Sequence, residues 1–173
     1  MIFKELDGGL SVIDNLKVAG AKEGKYGVAV IVSENSDASA VFTSNKIVAA
    51  PVIYTKKVVE KGKVSAVFVN SGNANCFTGN QGIEDCESLV ELVSKELNIP
   101  KGEIAISSTG VIGRKMPLDV ITGVASKVFS SLGNKPEDSL AAANAIMTTD
   151  KIPKQCALEV TLTNEKKKKI AGI

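Results

Sequence analysis

Histidine and tryptophan are absent from this 173-residue sequence, and aromatic residues make up 4% of it. Without histidine, the chain cannot assemble a Ser-His-Asp or Cys-His catalytic device from its own side chains. A zinc site would have to be built from thiolates and carboxylates alone, so we predict no metal site. Any acyl-transfer chemistry must therefore use a different base, or take its nucleophile and base from another chain.

Cysteine is scarce as well, and long apolar runs are missing. The three cysteines, Cys76, Cys86 and Cys156, lie at spacings that match no metal-binding or redox motif. No segment has the apolar character of a signal peptide or the length of a membrane span. Together these absences predict a reduced, cytoplasmic protein.

The charges are nearly balanced, with 21 basic and 19 acidic residues and a net charge of +2. Most of them are interspersed, as on a solvated surface. The one dense basic cluster is Lys166–Lys169, and we interpret it as a solvated turn because no aromatic residues or further basic stripe accompany it. The composition therefore predicts neither a nucleic-acid partner nor a membrane partner.

Apolar periodicity in the first part of the chain predicts short strands joined by polar turns. Runs rich in β-branched residues, typical of strands buried on both faces, occur at 27–32, 64–69 and 103–107. Another strand is predicted at 40–43, after a polar loop at 33–37. The Asn-rich stretch that begins at Asn70 is expected to end its strand, since it is dense in turn formers.

Helices are predicted between and after these strands. Apolar residues between positions 86 and 97 recur at the offsets of an amphipathic helix. Two more helices are expected to start after Pro117 and near Pro136, where proline and acidic residues suit a first helical turn.

The end of the sequence returns to strand patterns. Residues 156–163 alternate as a half-buried strand does, and an apolar strand begins at Ile170. The mixture predicts an α/β fold, a layered sandwich of mixed β-sheet and helices, in a single domain over residues 1–173.

One candidate site is the segment Ser107–Gly113, between a buried strand and a helix. Gly110 and Gly113 allow backbone conformations and close ligand approaches that other residues prevent. Successive N–H groups in such a turn can converge on one point and stabilise negative charge, as an oxyanion hole does. From spacing alone, a plain strand-to-helix turn remains the alternative.

Two further segments carry amides, hydroxyls and a carboxylate. Asn70–Asn75 follows the strongest predicted strand, a favoured place for ligands, and suits a carboxylate or amide substrate. The alternative is an Asn-rich loop that satisfies its own backbone. Met147–Asp150 either binds a polar substrate or simply terminates its helix. No dinucleotide-binding or P-loop pattern is present.

In this order, the three segments closely resemble the ornithine acetyltransferase family, whose members move acetyl groups in arginine biosynthesis. The matching strings are Val69–Asn75, Ser108–Gly113, Ala145–Asp150, Gly24–Ala29 and Ala40–Asn45. The resemblance extends from about Gly8 to Ile173.

This resemblance implies a self-cleaving enzyme of which the sequence is the alpha chain. The Thr exposed at the start of the beta chain is the nucleophile, and its own α-amine serves as the base. Acetyl passes from N-acetylornithine to this Thr and then to glutamate. No cofactor is implied, although some members accept acetyl-coenzyme A as a substrate. Two alpha–beta pairs are expected to form a heterotetramer.

The resemblance also assigns roles to individual residues. Thr109 and Gly110 match the oxyanion-hole pair, and Thr149 matches a substrate-contacting residue, with Thr148 as the alternative if the register shifts by one. In the family, a substrate-binding Lys and the nucleophilic Thr follow the segment equivalent to Ile170–Ile173. Neither is present here, so we expect the alpha chain to extend further and this chain to be inactive alone.

Two other functions are compatible with the sequence. A related self-cleaving aminopeptidase or amidase would share the layered fold and the N-terminal nucleophile, but would pass the acyl group to water. A non-catalytic carboxylate-binding module is a different class, and it stays open because this chain holds no complete catalytic set.

Overall fold

The computed structural model describes residues 2–164 and 166–173, which form two β-sheets and four α-helices. The strands are β1 (Ile2–Glu5), β2 (Lys17–Glu23), β3 (Tyr26–Asp37), β4 (Lys63–Asn73), β5 (Ile104–Val111), β6 (Cys156–Thr161) and β7 (Lys167–Gly172). The helices are α1 (Ala50–Val59), α2 (Gly79–Leu97), α3 (Leu118–Ser130) and α4 (Pro136–Ile146). The predicted α/β layering is confirmed.

The larger sheet has the strand order β2-β3-β4-β5, in which β4 and β5 are parallel and the other pairs antiparallel. Side chains of β3 alternate between the two faces of this sheet. Val28 and Val30 enter one hydrophobic cluster, whereas Ala29 and Ile31 contact the other. A strand covered on both faces is apolar along its length, which explains the continuous run at 27–32.

One face of the larger sheet is covered by α2 and α3. Their apolar stripes, which include Leu89, Val93, Val124 and Val128, are buried against β3, β4 and β5. The predicted amphipathic helices are therefore confirmed.

The opposite face of the larger sheet is covered by α4. A Cβ atom at Gly20 would lie 2.5 Å from the Cα of Ala142, and one at Gly27 would collide with the carbonyl oxygen of Ala145. Backbone therefore packs directly on backbone here. This close packing fixes the position of the segment that follows the end of α4 at Ile146.

The edge strand β5 is protected by α1, a helix that the sequence analysis missed. The Thr55 hydroxyl donates to the carbonyl oxygen of Ile106 at 2.6 Å, and its oxygen accepts from the N–H of Ile106 at 2.8 Å. One side chain thus satisfies both backbone groups of an edge residue, which would otherwise be open to another strand.

The smaller sheet has the order β1-β6-β7, and both of its pairs are antiparallel. Ala171 and Ile173 pack against the cluster beneath α4. The sequence analysis interpreted the basic run Lys166–Lys169 as a solvated turn, and for Lys167–Lys169 this interpretation is wrong. Lys167–Lys169 belong to β7 and pair with β6, and their side chains are exposed.

Two predictions on either side of Asp37 are wrong. Residues 33–37 were expected to be a loop, but β3 continues to Asp37 across an irregularity in its pairing between Val32 and Ser36. Residues 40–43 do not form a strand, and Val41 is 98% exposed. A strand needs a paired neighbour and a buried face, and local β-branched residues supply neither.

Two strands also continue beyond their predicted ends. β4 extends through the Asn-rich stretch to Asn73, and β5 extends to Val111.

Among the described residues, no helix combines the length and apolar character needed to cross a lipid bilayer.

Candidate functional site

The parallel pairing of β4 and β5 brings two of the sequence motifs side by side. Ser71 lies opposite Thr109, and Gly72 lies opposite Gly110. The Asn-rich motif and the Thr-Gly motif, distant in sequence, therefore share one end of the sheet. Carboxyl ends of adjacent parallel strands are favoured positions for ligands in α/β folds.

Both glycines of this pair are required by the geometry. Gly72 has φ 94° and Gly110 has φ 136°, values that side-chain-bearing residues rarely adopt. A Cβ at Gly110 would lie 2.6 Å from the amide nitrogen of Asn73, and one at Gly72 would lie 2.5 Å from the carbonyl oxygen of Lys25. The β2–β3 turn is thereby packed tightly against the ends of β4 and β5.

A cavity of about 610 Å³ opens at this point. Its lining consists of Lys22, Gly24, Lys25, Gly72, Thr109, Gly110, Val111, Met147, Thr148 and Thr149. The three residues predicted from the resemblance, Thr109, Gly110 and Thr149, thus lie around one space. Thr148 lines it too, so the geometry does not choose between the two threonines, and the roles of all these residues stay predictions.

The wall that carries Thr148 and Thr149 is held in place by two hydrogen bonds. The Ser71 hydroxyl donates to the carbonyl oxygen of Ala145 at 2.6 Å, and the Lys22 ammonium donates to that of Met147 at 2.6 Å. Carbonyl groups at the end of a helix lack helical partners. A hydroxyl and a cation satisfy them here, and the cation also suits the negative end of the helix dipole.

The asparagines of the Asn-rich motif are engaged with the protein itself. Asn70 donates to the carbonyl oxygen of Asn73 at 2.9 Å, and its amide oxygen accepts from the Ser108 hydroxyl at 2.6 Å. Asn73 donates to the carbonyl oxygens of Arg114 and Lys115 at 3.0 and 3.1 Å. These side chains shape the segments around the cavity, which favours the structural interpretation over direct substrate binding.

The third amide of this motif, Asn75, lies deeper and contacts α2. It donates to the carbonyl oxygen of Gly82 at 2.8 Å and to the Cys86 sulfur at 3.3 Å, and its oxygen accepts from the Thr78 hydroxyl at 2.9 Å. Asn75 has a positive φ of 45°, a conformation that asparagine tolerates better than most residues.

Two exposed apolar side chains, Phe77 and Ile112, lie on the segments that follow β4 and β5, and we call them the apolar rim. The N–H of Ala74 donates to the carbonyl oxygen of Val111 at 3.0 Å, and the N–H of Gly113 donates to that of Cys76 at 2.9 Å. These bonds join the segments that carry Phe77 and Ile112, whose side chains are 81% and 62% exposed. Large apolar side chains exposed on neighbouring segments are typical of an interaction surface.

A model of the ArgJ family matches residues 15–173. The chain belongs to the ArgJ family.

Two curated relatives of this ArgJ-family chain are methanogen proteins named glutamate N-acetyltransferase. The one from Methanothermobacter thermautotrophicus is 43% identical over 173 residues, and the match covers 100% of this chain and 43% of the relative. The one from Methanocaldococcus jannaschii is 42% identical over 170 residues, covering 97% of this chain and 42% of the relative. The chain therefore spans less than half the length of these relatives.

Two solved structures share the fold. The arginine biosynthesis bifunctional protein argJ from Bacillus halodurans matches with a TM-score of 0.91 and 30% identity, covering 99% of this chain and 92% of that chain. Ornithine acetyltransferase complexed with ornithine, from Mycobacterium tuberculosis, matches with a TM-score of 0.88 and 30% identity, covering 99% of this chain and 94% of that chain. The predicted resemblance to the ornithine acetyltransferase fold is confirmed.

The cysteines of this ArgJ-family chain lie apart from the cavity lining. Burial raises the pKa of the Cys86 thiol to about 12, while the amide of Asn75 acts in the opposite direction. Among residues 2–164 and 166–173, no group of three or more His, Cys, Asp or Glu side chains is arranged to hold a metal ion.

The sequence analysis missed the two lysines of the cavity. Lys22 is the penultimate residue of β2, and Lys25 lies in the turn between β2 and β3. The string Gly24–Ala29 contributes to the resemblance, but it carries no motif that points to a ligand. Its relation to the cavity follows from the antiparallel pairing and from the packing against Gly72.

Proposed function

We propose that this chain is the alpha part of a glutamate N-acetyltransferase of the ornithine acetyltransferase type, acting in arginine biosynthesis. The observation that carries the proposal is the single cavity shared by Thr109, Gly110 and Thr149. The names of the curated relatives and of the ornithine-bound structure support it. In this role, acetyl passes from N-acetylornithine to an enzyme nucleophile and then to glutamate.

The nucleophile is supplied by the remainder of the protein. A Thr at the start of a beta chain, released by self-cleavage and using its own α-amine as base, fits a sequence without histidine. The comparisons support a division into two chains, since this chain spans 43% of a curated relative but 92% of a solved one. Assembly into an α2β2 heterotetramer in the cytoplasm belongs to the same proposal.

The alpha chain stabilises the tetrahedral intermediate. Successive N–H groups in an extended strand point to opposite sides, and β5 continues through Val111. We therefore assign the donors as the N–H of Gly110 and the hydroxyl of Thr109, rather than two successive amides. Oxyanion donors act most strongly where water is excluded, as it would be once the remainder of the protein covers the cavity.

We assign Thr149 to substrate binding. The segment that carries it is held in place by the hydrogen bonds from Ser71 and Lys22. Ile173 packs with Ile146 in the cluster beneath α4, next to the Met147–Thr149 wall. A continuation of the chain past Ile173 would therefore begin close to the cavity. No cofactor is required, and acetyl-coenzyme A would enter only as a second acetyl donor.

The test is to purify the full-length protein and identify both its chains and its products. We expect a second chain whose N-terminal residue is Thr, and transfer of acetyl from N-acetylornithine to glutamate. Release of acetate without transfer would instead support the amidase alternative. An uncleaved protein that binds carboxylates without turnover would support the binding-module alternative.

A further inference from the structure

Two lysine side chains of the cavity lining have no acidic partner. Lys22 and Lys25 both line the cavity, and its lining includes no aspartate or glutamate. Glu23, which lies between them in sequence, pairs instead with Lys127 at 2.9 Å. Within residues 2–164 and 166–173, no carboxylate forms an ion pair with either lysine. The cavity is therefore a cationic environment.

The two lysines differ in what else they contact. The Lys22 ammonium donates to the carbonyl oxygen of Met147 at 2.6 Å, so it supports the wall that carries Thr149. The Lys25 ammonium lies 5.1 Å from the centre of the Tyr26 ring, a cation–π contact that leaves its N–H groups free to donate. Lys25 is thus the lysine that is available to a ligand.

The backbone of Lys25 is fixed beside the predicted oxyanion hole. Its carbonyl oxygen packs so closely on Gly72 that a Cβ there would lie 2.5 Å away, and Gly72 in turn pairs with Gly110. Lys25 therefore lies on a tightly packed turn and lines the same cavity as Thr109 and Gly110.

We propose that Lys25 binds the α-carboxylate of the amino-acid substrate and so selects acids over amides. This inference rests on the proposed acetyltransferase function. In that reaction, N-acetylornithine and glutamate occupy the same site in turn, and the groups they share are the α-nitrogen and the α-carboxylate. A cation that recognises the α-carboxylate serves both half-reactions without distinguishing the side chains of the two substrates.

Lysine suits this task because its ammonium is a compact charge on a flexible stem. Hydrogen bonds between charged groups are about twice as strong as neutral ones, and they strengthen when a site is closed to water. The side chains of ornithine and glutamate carry opposite charges, so their discrimination must come from other groups.

The experiment uses the full-length protein and the variant Lys25→Gln, which keeps the polar stem but removes the charge. The kcat/KM is measured with N-acetylornithine and with its α-carboxamide, a substrate without the negative charge. We expect the kcat/KM of the variant to fall roughly ten- to hundredfold for the acid and to change little for the amide. Lys25→Arg should retain most of the activity on the acid.

Two further variants separate recognition from positioning. Lys22→Gln removes the bond to Met147 and should lower kcat/KM equally for the acid and the amide. Lys57→Gln, at an exposed site on α1, should change neither. The proposal would be overturned if Lys25→Gln lowered kcat/KM equally for both substrates, or if the variant kept the wild-type preference for the acid.

A binding measurement distinguishes this inference from the proposed function. Isothermal titration of ornithine and of its α-carboxamide, which carry no acetyl group to transfer, into the wild-type protein and Lys25→Gln measures binding without turnover. If the protein transfers no acetyl group but Lys25→Gln still weakens binding of the acid alone, the carboxylate site stands and the acetyltransferase function fails. If acetyl is transferred and binding is unaffected by Lys25→Gln, the function stands and this inference fails.

Discussion

Gly72 and Gly110 lie opposite each other on the parallel strands β4 and β5, with φ angles of 94° and 136°. Neither position has room for a Cβ atom, since each would meet backbone atoms of a neighbouring segment. The pair therefore allows three chain segments, the β2–β3 turn and the ends of β4 and β5, to meet at one cavity. The proposed chemistry depends on this close approach.

The first prediction concerns Gly110. Gly110→Ala introduces a methyl group that meets the backbone of Gly72 and Asn73, so the N–H of residue 110 must move. Removing one oxyanion donor typically lowers kcat by about a hundred- to a thousandfold, and we expect a loss of that size in the full-length protein with its assembly preserved. The measurement is steady-state acetyl transfer, with gel filtration as the check on assembly.

Gly113→Ala is the matched control for this variant. Gly113 also has a positive φ, 73°, but nothing lies within 4 Å of a Cβ built there. Gly113→Ala should therefore strain the backbone locally without displacing the N–H of residue 110. Similar loss of activity in both variants would show that strain, and not the oxyanion donor, explains the effect.

The second prediction concerns the hydroxyl of Thr109. Thr109→Val has nearly the same shape but cannot donate a hydrogen bond, so kcat should fall by roughly a hundredfold. Thr109→Ser keeps the hydroxyl and should retain most of the activity. Full activity of the valine variant would remove Thr109 from the donor pair.

The third prediction tests the support of the Thr148–Thr149 wall. Ser71→Ala leaves the carbonyl oxygen of Ala145 without the hydroxyl that donates to it from a buried position. We expect a loss of about 1–3 kcal/mol in the free energy of unfolding, measured by urea denaturation, together with a higher KM. Ser88→Ala removes an exposed hydroxyl that bonds within α2 and should change both values little.

Much of the fold was predictable because its elements carry complete local signals. The run at 27–32 is buried on both faces, and the stripes of α2 and α3 face the sheet. The ends of the strands were not predictable in the same way. β4 passes through Asn70–Asn73 because β5 pairs with it along this whole stretch and β3 pairs with it as far as Ser71. These partner strands are distant in sequence.

The helix α1 and the false strand at 40–43 show the same limit. α1 begins at Ala50 with Pro51 in its first turn, a position that suits proline, but its apolar residues do not form a marked stripe. The string at 40–43 contains β-branched residues, yet it lies exposed without a paired strand. Tertiary pairing decides such segments, and local propensity does not.

The candidate site was predictable in part. Thr109, Gly110 and Thr149 came from the resemblance, and the structure brings them to one cavity. Lys22 and Lys25 were missed because isolated lysines on a hairpin carry no sequence signal of their own. Only the three-dimensional packing of Gly72 on the turn reveals their position.

The fourth prediction concerns the apolar rim. Phe77 and Ile112 are 81% and 62% exposed in this chain, and we expect the remainder of the protein to cover them. The double variant Phe77→Ser, Ile112→Ser should weaken association of the two chains roughly tenfold or more, as measured by their co-purification at decreasing concentration. Val120→Ser on α3 is the control, and equal weakening by it would argue against a specific interface at the rim.

The fifth prediction concerns the pH dependence of stability. Burial raises the pKa of Cys86 from 9.0 to about 12, so the folded state binds a proton that the unfolded state releases first. The stabilisation that Cys86 contributes through this pKa difference is complete below pH 9 and is lost as the pH rises towards 12. The difference in unfolding free energy between the wild type and Cys86→Ala should therefore shrink across this interval, and a constant difference would contradict it.

The most direct test of the account is a structure of the full-length protein with an acetyl group trapped on its nucleophile. We expect the acetyl carbonyl oxygen to lie about 2.7–3.1 Å from the amide nitrogen of Gly110 and from the hydroxyl oxygen of Thr109, which is the distance of oxyanion-hole donors. An acetyl oxygen held by other groups, with both donors directed elsewhere, would contradict it.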